Sequence, residues 1–107
     1  MSENPLIPIA EILDENLELS LNDLARRGAV HVEIIIELVQ EGVLEPQGPA
    51  PDQWRFRGPD LIRLRRAINL QRDLELNLPG IALAIELLDE LDLLRAKLER
   101  LERHGFQ

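Results

Sequence analysis

The sequence has no cysteine, only two histidines (His31 and His104) and only three aromatic residues, Trp54, Phe56 and Phe106. Without cysteine there is no disulfide, no thiol nucleophile and no thiolate zinc site. The two histidines are far apart, and neither sits in a pattern with Asp or Ser that would make a catalytic pair. No glycine-rich phosphate loop and no metal-ligand spacing is present, so no catalytic residue, cofactor or metal is expected. No apolar stretch reaches the roughly 20 residues needed to cross a bilayer. The N-terminus lacks a basic segment leading into an apolar run, and a soluble, cytoplasmic protein is expected. With so few aromatics the core must be built from Leu, Ile, Val and Ala, which suits helix packed on helix.

What the chain does have is acid, unevenly spread. The net charge is −8 over 107 residues, which is most simply one domain. Residues 1–52 hold two basic side chains against eleven acidic, a net of −9, while residues 53–107 hold ten against nine. Within Trp54–Arg72, six arginines stand against Asp60 alone. An acidic whole repels nucleic acid at long range and favours a basic partner.

Residues 1–18 read as an N-terminal extension. Pro5 and Pro8 forbid an early helix interior, although Ile9–Leu13 can make a helical turn. Leu17, Leu19 and Leu21 alternate with Glu18 and Ser20, the period of a short strand or arm. Ser20-Leu21-Asn22-Asp23 has the form of a capping box opening a helix whose buried face is Leu21, Leu24 and Ala25, with Gly28 at its end. A second helix follows from His31 or Val32 to Glu41, with Ile35, Leu38 and Val39 inward and Gly42 as its stop. Two short helices around a tight glycine-containing turn form a helix-turn-helix pattern. Val43–Pro46 and Trp54–Phe56 flank a Gly/Pro-rich loop and predict a two-stranded wing. Gly58-Pro59-Asp60 starts a third helix with Leu61, Leu64, Ala67 and Ile68 as its apolar stripe.

The pattern breaks over Leu74–Gly80, where Asn77 is a candidate N-cap and Pro79 fits a first turn. One long leucine-rich helix then runs from Ile81 to Leu101. Ala84, Leu91 and Leu98 take the a positions of a heptad, and Leu87, Leu94 and Leu101 the d positions. Ile81, Ile85 and Leu88 widen the stripe at the start, as an intramolecular contact requires. A helix of about 25 residues projects roughly 37 Å, more than the width of a small domain. Its far end needs a partner, and antiparallel pairing with a second copy is the simplest solution. The division expected is therefore 1–18 extension, 19–75 winged helix-turn-helix domain, and 76–107 dimerisation helix. Leu87, Leu91, Leu94, Leu98 and Leu101 form the expected dimer interface.

This plan resembles the MerR-type winged helix-turn-helix domains, and Gly42-Val43-Leu44-Glu45-Pro46 is similar to their motif after the second helix. A closer resemblance is to the CbpM family of chaperone modulatory proteins. It is carried by Glu41–Pro46, Trp54-Arg55-Phe56, Arg65–Leu70 and above all Leu74-Glu75-Leu76-Asn77-Leu78-Pro79-Gly80-Ile81-Ala82-Leu83-Ala84, a run that ordinary MerR domains lack. It covers roughly Leu19 to Leu101. The resemblance implies an all-α, mainly helical fold with a small β wing. It also implies a bacterial cytoplasmic dimer that binds the J-domain of the DnaJ-like co-chaperone CbpA and inhibits its work with DnaK.

Each candidate surface keeps an ordinary reading beside the functional one. Glu33, Glu37 and Glu41 share one face of the second helix, which carries no Lys or Arg. In a helix-turn-helix protein that face would enter a DNA groove, where a row of carboxylates opposes phosphate. It is either a solvated face or a docking face for a basic J-domain. Glu86, Asp89, Glu90 and Asp92 form a second acidic run, with Glu86 and Glu90 the candidate contacts. Arg55, Arg57, Arg63, Arg65 and Arg66 would touch phosphate in a DNA-binding alternative, a MerR-like transcription regulator, or else pair internally with the surplus acid. Trp54 is read as core, with an interface anchor as its alternative.

Overall fold

The structure is a computed structural model, and it describes residues 17–105. Four helices follow in order: α1 (Leu21–Gly28), α2 (Val32–Gln40), α3 (Gly58–Leu74) and α4 (Leu78–His104), with a short 3-10 turn at Pro51–Gln53 between α2 and α3. The fold is mainly helical. The expected turn at Ile9–Leu13 lies outside the described residues.

α1 begins at the capping box that its sequence spells. The Asp23 N–H donates to the Ser20 hydroxyl at 3.0 Å, and the Ser20 N–H donates back to the Asp23 carboxylate at 3.2 Å. The helix buries Leu24 and Ala25. Its left-handed terminal residue is Ala29, at φ 59, not the glycine before it. Gly28 serves a different end: a Cβ there would stand 2.5 Å from Leu64 Cδ2 of α3, and Leu64 is fully buried. The glycine lets the two helices approach closely.

α2 buries Ile35 and Leu38 and closes through Glu41 onto Gly42, whose φ of +82 is the left-handed stop expected there. Val43 and Leu44 then turn into the core. The Val43 and Leu44 N–H groups both donate to the Leu38 carbonyl, so the loop after α2 folds back on its last turn.

Where two wing strands are expected, only isolated antiparallel bridges occur among the described residues: Gln47 with Arg55, and Leu19 with Phe56. Each is a full exchange of N–H and carbonyl, at 3.1 and 2.8 Å in the first and 2.8 and 2.7 Å in the second. Trp54–Phe56 therefore has a neighbour on both edges. Continuing the Gln47–Arg55 pairing by two residues would call on residue 49, a proline with no N–H to donate. Phe56 is fully buried and Trp54 half-buried, their rings edge to face at 6.0 Å. The core reading of Trp54 is thus met in part: the side chain packs against the core but is not enclosed by it.

α3 opens with Pro59 in its first turn, and the Asp60 carboxylate accepts from the Arg57 N–H at 2.8 Å. Leu61, Leu64 and Ala67 are buried against α1 and α4. The chain breaks at Glu75, which takes a left-handed φ of 54, and restarts where Asn77 Oδ1 accepts from the Gly80 N–H at 2.8 Å. α4 is 27 residues long, about 40 Å at 1.5 Å per residue. Ile81 and Ile85 are buried in the core and Leu88 is half-buried. From Asp89 onward every residue of the helix is exposed.

Candidate partner-binding surface

The amphipathic turn of α2 sends Ile35 and Leu38 inward, and geometry then sends Glu33, Glu37 and Glu41 outward. All three glutamates are exposed, and none makes an ion pair with a described residue. His31 is the N-cap of this helix but makes no side-chain capping bond, and His104 lies exposed at the far end of α4.

The acidic run on α4 divides into two kinds of residue. Asp89 accepts two hydrogen bonds from Arg63 Nη1, at 2.9 and 2.8 Å, and Asp92 lies 3.6 Å from Arg66. Glu86 and Glu90 are exposed and have no such partner among the described residues. Arg63 does more than hold Asp89, for its Nε donates to the Val43 carbonyl at 2.8 Å. One guanidinium thus joins the segment that follows α2 to the side of α4. Glu41 lies two residues before Val43, and Glu86 and Glu90 flank Asp89. Arg63 thus ties the chain just past Glu41 to Asp89, which lies between Glu86 and Glu90 in sequence.

The arginine cluster is accordingly divided too. Arg63 and Arg66 fasten α3 to α4, as the internal-pairing reading expects. Arg55 donates to the Trp54 carbonyl, and Arg65 is half-buried. Beside them lies an open cleft of about 500 Å³ whose lining includes Arg55, Arg57 and Arg63 but also Glu45, Asp60 and Asp89. Balanced charge of this kind gives phosphate no net attraction. Burial pushes the Asp60 carboxyl above its ordinary range, against the pull of the Arg57 N–H and nearby guanidinium groups. Among the described residues no group of three or more metal-ligating side chains occurs.

Beyond the core contact, α4 presents a stripe of leucine. Leu87, Leu91, Leu94, Leu98 and Leu101 are 44–55% exposed. Leu83, 56% exposed and one turn before Leu87, extends the same face, a residue the heptad reading passes over because Ala84 takes the seam position. Exposed leucines that recur along one helix face make this stripe a candidate interaction surface.

Residues 19–103 match the family described as MerR HTH family regulatory protein, a class of helix-turn-helix regulators. Among similar proteins, the chaperone modulatory protein CbpM of Coxiella burnetii is 39% identical over 92 residues, 86% of this chain and 87% of that protein. CbpM of Pseudomonas entomophila is 37% identical over 81 residues, 76% of this chain and 80% of its own length. The chain therefore belongs to the MerR helix-turn-helix regulatory proteins and, within them, to the CbpM chaperone modulatory proteins. Among the described residues no helix is long and apolar enough to cross a membrane.

Proposed function

We propose that the protein is a non-catalytic modulator that binds the J-domain of a CbpA-type co-chaperone and lowers its activity with DnaK by occupying it. Glu33, Glu37 and Glu41 on α2, with Glu86 and Glu90 on α4, form the docking surface. The observation that carries this reading is the set of five exposed carboxylates left without ion-pair partners among the described residues, while Arg63 and Arg66 are paired elsewhere. A basic partner completes such a surface, and its charge mainly sets on-rate and specificity. The same carboxylates oppose DNA binding through α2, which has no cation to neutralise phosphate.

The protein acts as a homodimer. Residues 76–107 supply the pairing helix through Leu87, Leu91, Leu94, Leu98 and Leu101, and residues 19–75 form the helix-turn-helix unit after an extension at 1–18. The segments bridged at Gln47 and Arg55 serve as its wing. The protein works in the cytoplasm, where its partner chaperones are.

Titration of the purified protein against an isolated J-domain and against duplex DNA, each at low and high salt, tests the proposal. Micromolar J-domain binding that weakens with salt is expected. Tight, salt-sensitive DNA binding with no J-domain binding would overturn it in favour of a transcription regulator.

A further inference from the structure

The geometry points to Arg63 as the residue that positions the two acidic faces against one another, so that a partner meets them as one surface. This rests on the acidic docking reading above. Arg63 stands on α3 between the two faces and belongs to neither. Its Nε holds the Val43 carbonyl at 2.8 Å, just past Glu41, and its Nη1 holds both Asp89 oxygens, between Glu86 and Glu90. The planar fork holds its separate Nε and Nη1 donors in a fixed arrangement, which the single ammonium nitrogen of a lysine does not reproduce. The neighbouring Arg66–Asp92 contact is longer, at 3.6 Å, and joins α3 to α4 alone.

Stability is a poor account of this arrangement. The Arg63 and Asp89 side chains are 33% and 44% exposed, and ion pairs so open to water add little to folding. What the contact does fix is the relative placement of the end of α2 and the middle turns of α4. Those turns are where α4 leaves the core, after Ile85, and beyond the half-buried Leu88 the other contact of α3 with them is the longer Arg66–Asp92 pair.

Charge and position predict opposite outcomes. Arg63→Gln makes the acidic surface more negative. If the surface acted through charge alone, a basic J-domain would bind this variant more tightly. Positioning by Arg63 makes it bind more weakly. Two further variants separate the effects even if Arg63→Gln does not fold. Arg63→Lys keeps the charge and loses the fork, and the pair Arg63→Gln with Asp89→Asn leaves the net charge unchanged.

Calorimetric titration of each full-length variant with the isolated J-domain, beside its thermal unfolding curve, gives the test. Expected is J-domain binding weakened on the order of tenfold in all three, with unfolding temperatures close to the original and the double variant no worse than Arg63→Gln. Wild-type affinity in Arg63→Lys and in the double variant, or tighter binding in Arg63→Gln, overturns the assignment while leaving acidic docking intact. Absence of binding by the unaltered protein brings down both.

Discussion

Gly28 of α1 faces Leu64 of α3 so closely that a methyl group on the glycine would stand 2.5 Å from Leu64 Cδ2. Leu64 is fully buried, so it can make room only by shifting among packed neighbours. Gly28→Ala is expected to destabilise the fold by roughly 1–3 kcal/mol through overpacking, more than the gain of up to about 1 kcal/mol in helix propensity. Urea unfolding followed by circular dichroism checks this. A midpoint at or above the original would show that α1 and α3 can part without cost.

The start of α1 makes a prediction in acid. The Asp23 carboxyl is held below its ordinary 3.8 chiefly by the Ser20 N–H, with Arg26 and the Ser20 hydroxyl adding to it. A lowered folded value means the stabilisation is present above 3.8 and is lost as pH falls through the folded value. Asp60 has the opposite sign. Burial raises it, so its ionisation opposes folding as pH climbs from 3.8 towards the raised value. Asp23→Asn should flatten the fall of stability below that point, and Asp60→Asn the change above it. Urea midpoints between pH 2 and 7 separate the two. Ser20→Ala should cost about 1 kcal/mol at neutral pH through the lost cap.

The two ends of α4 should respond differently to mutation. Ile85→Ala opens a cavity in the core and should cost about 2–5 kcal/mol. Leu94→Glu changes a side chain that is 55% exposed and should leave the folded domain intact while converting a dimer to a monomer. Light scattering and thermal unfolding on the same samples check both. A monomeric unaltered protein at high concentration would refute the pairing role of the leucine stripe.

The acidic faces can be tested separately. Glu33→Lys with Glu37→Lys should weaken J-domain binding and raise salt-sensitive attachment to DNA, since the α2 face then carries cations. Glu86→Lys with Glu90→Lys tests the α4 half. If only the second pair matters, α2 is a solvated face and the docking surface lies wholly on the long helix.

Local chemistry is legible in the sequence. Ser20 with Asp23, Asn77 before Pro79, and Gly42 after α2 each act within a few residues of themselves, and each does what its spacing predicts. The burial of Ile81 and Ile85 follows in the same way from their place on the widened stripe. Contacts between distant residues are not legible. Nothing in the spacing of Arg63 and Asp89 couples them, and a cluster of arginines beside a surplus of acid permits many pairings. Gly28 reads as a stop because glycines often end helices, while its partner Leu64 lies on another helix. The segments expected to form a wing carry β-prone residues, yet among the described residues they meet only in isolated bridges.

Trp54 is the only tryptophan in the chain. Its indole is half-buried, edge to face with Phe56, and the next residue, Arg55, lines the cleft that Gln47, Asp60 and Arg63 also line. The protein thus carries a single tryptophan fluorophore at the seam that Trp54–Phe56 forms with Leu19 on one edge and Gln47 on the other. Loosening of that seam moves the indole into water and shifts its emission to the red, whereas events confined to the far turns of α4 leave the spectrum unchanged. Emission and helicity, recorded together, therefore distinguish a disturbance of the compact domain from one of the projecting helix.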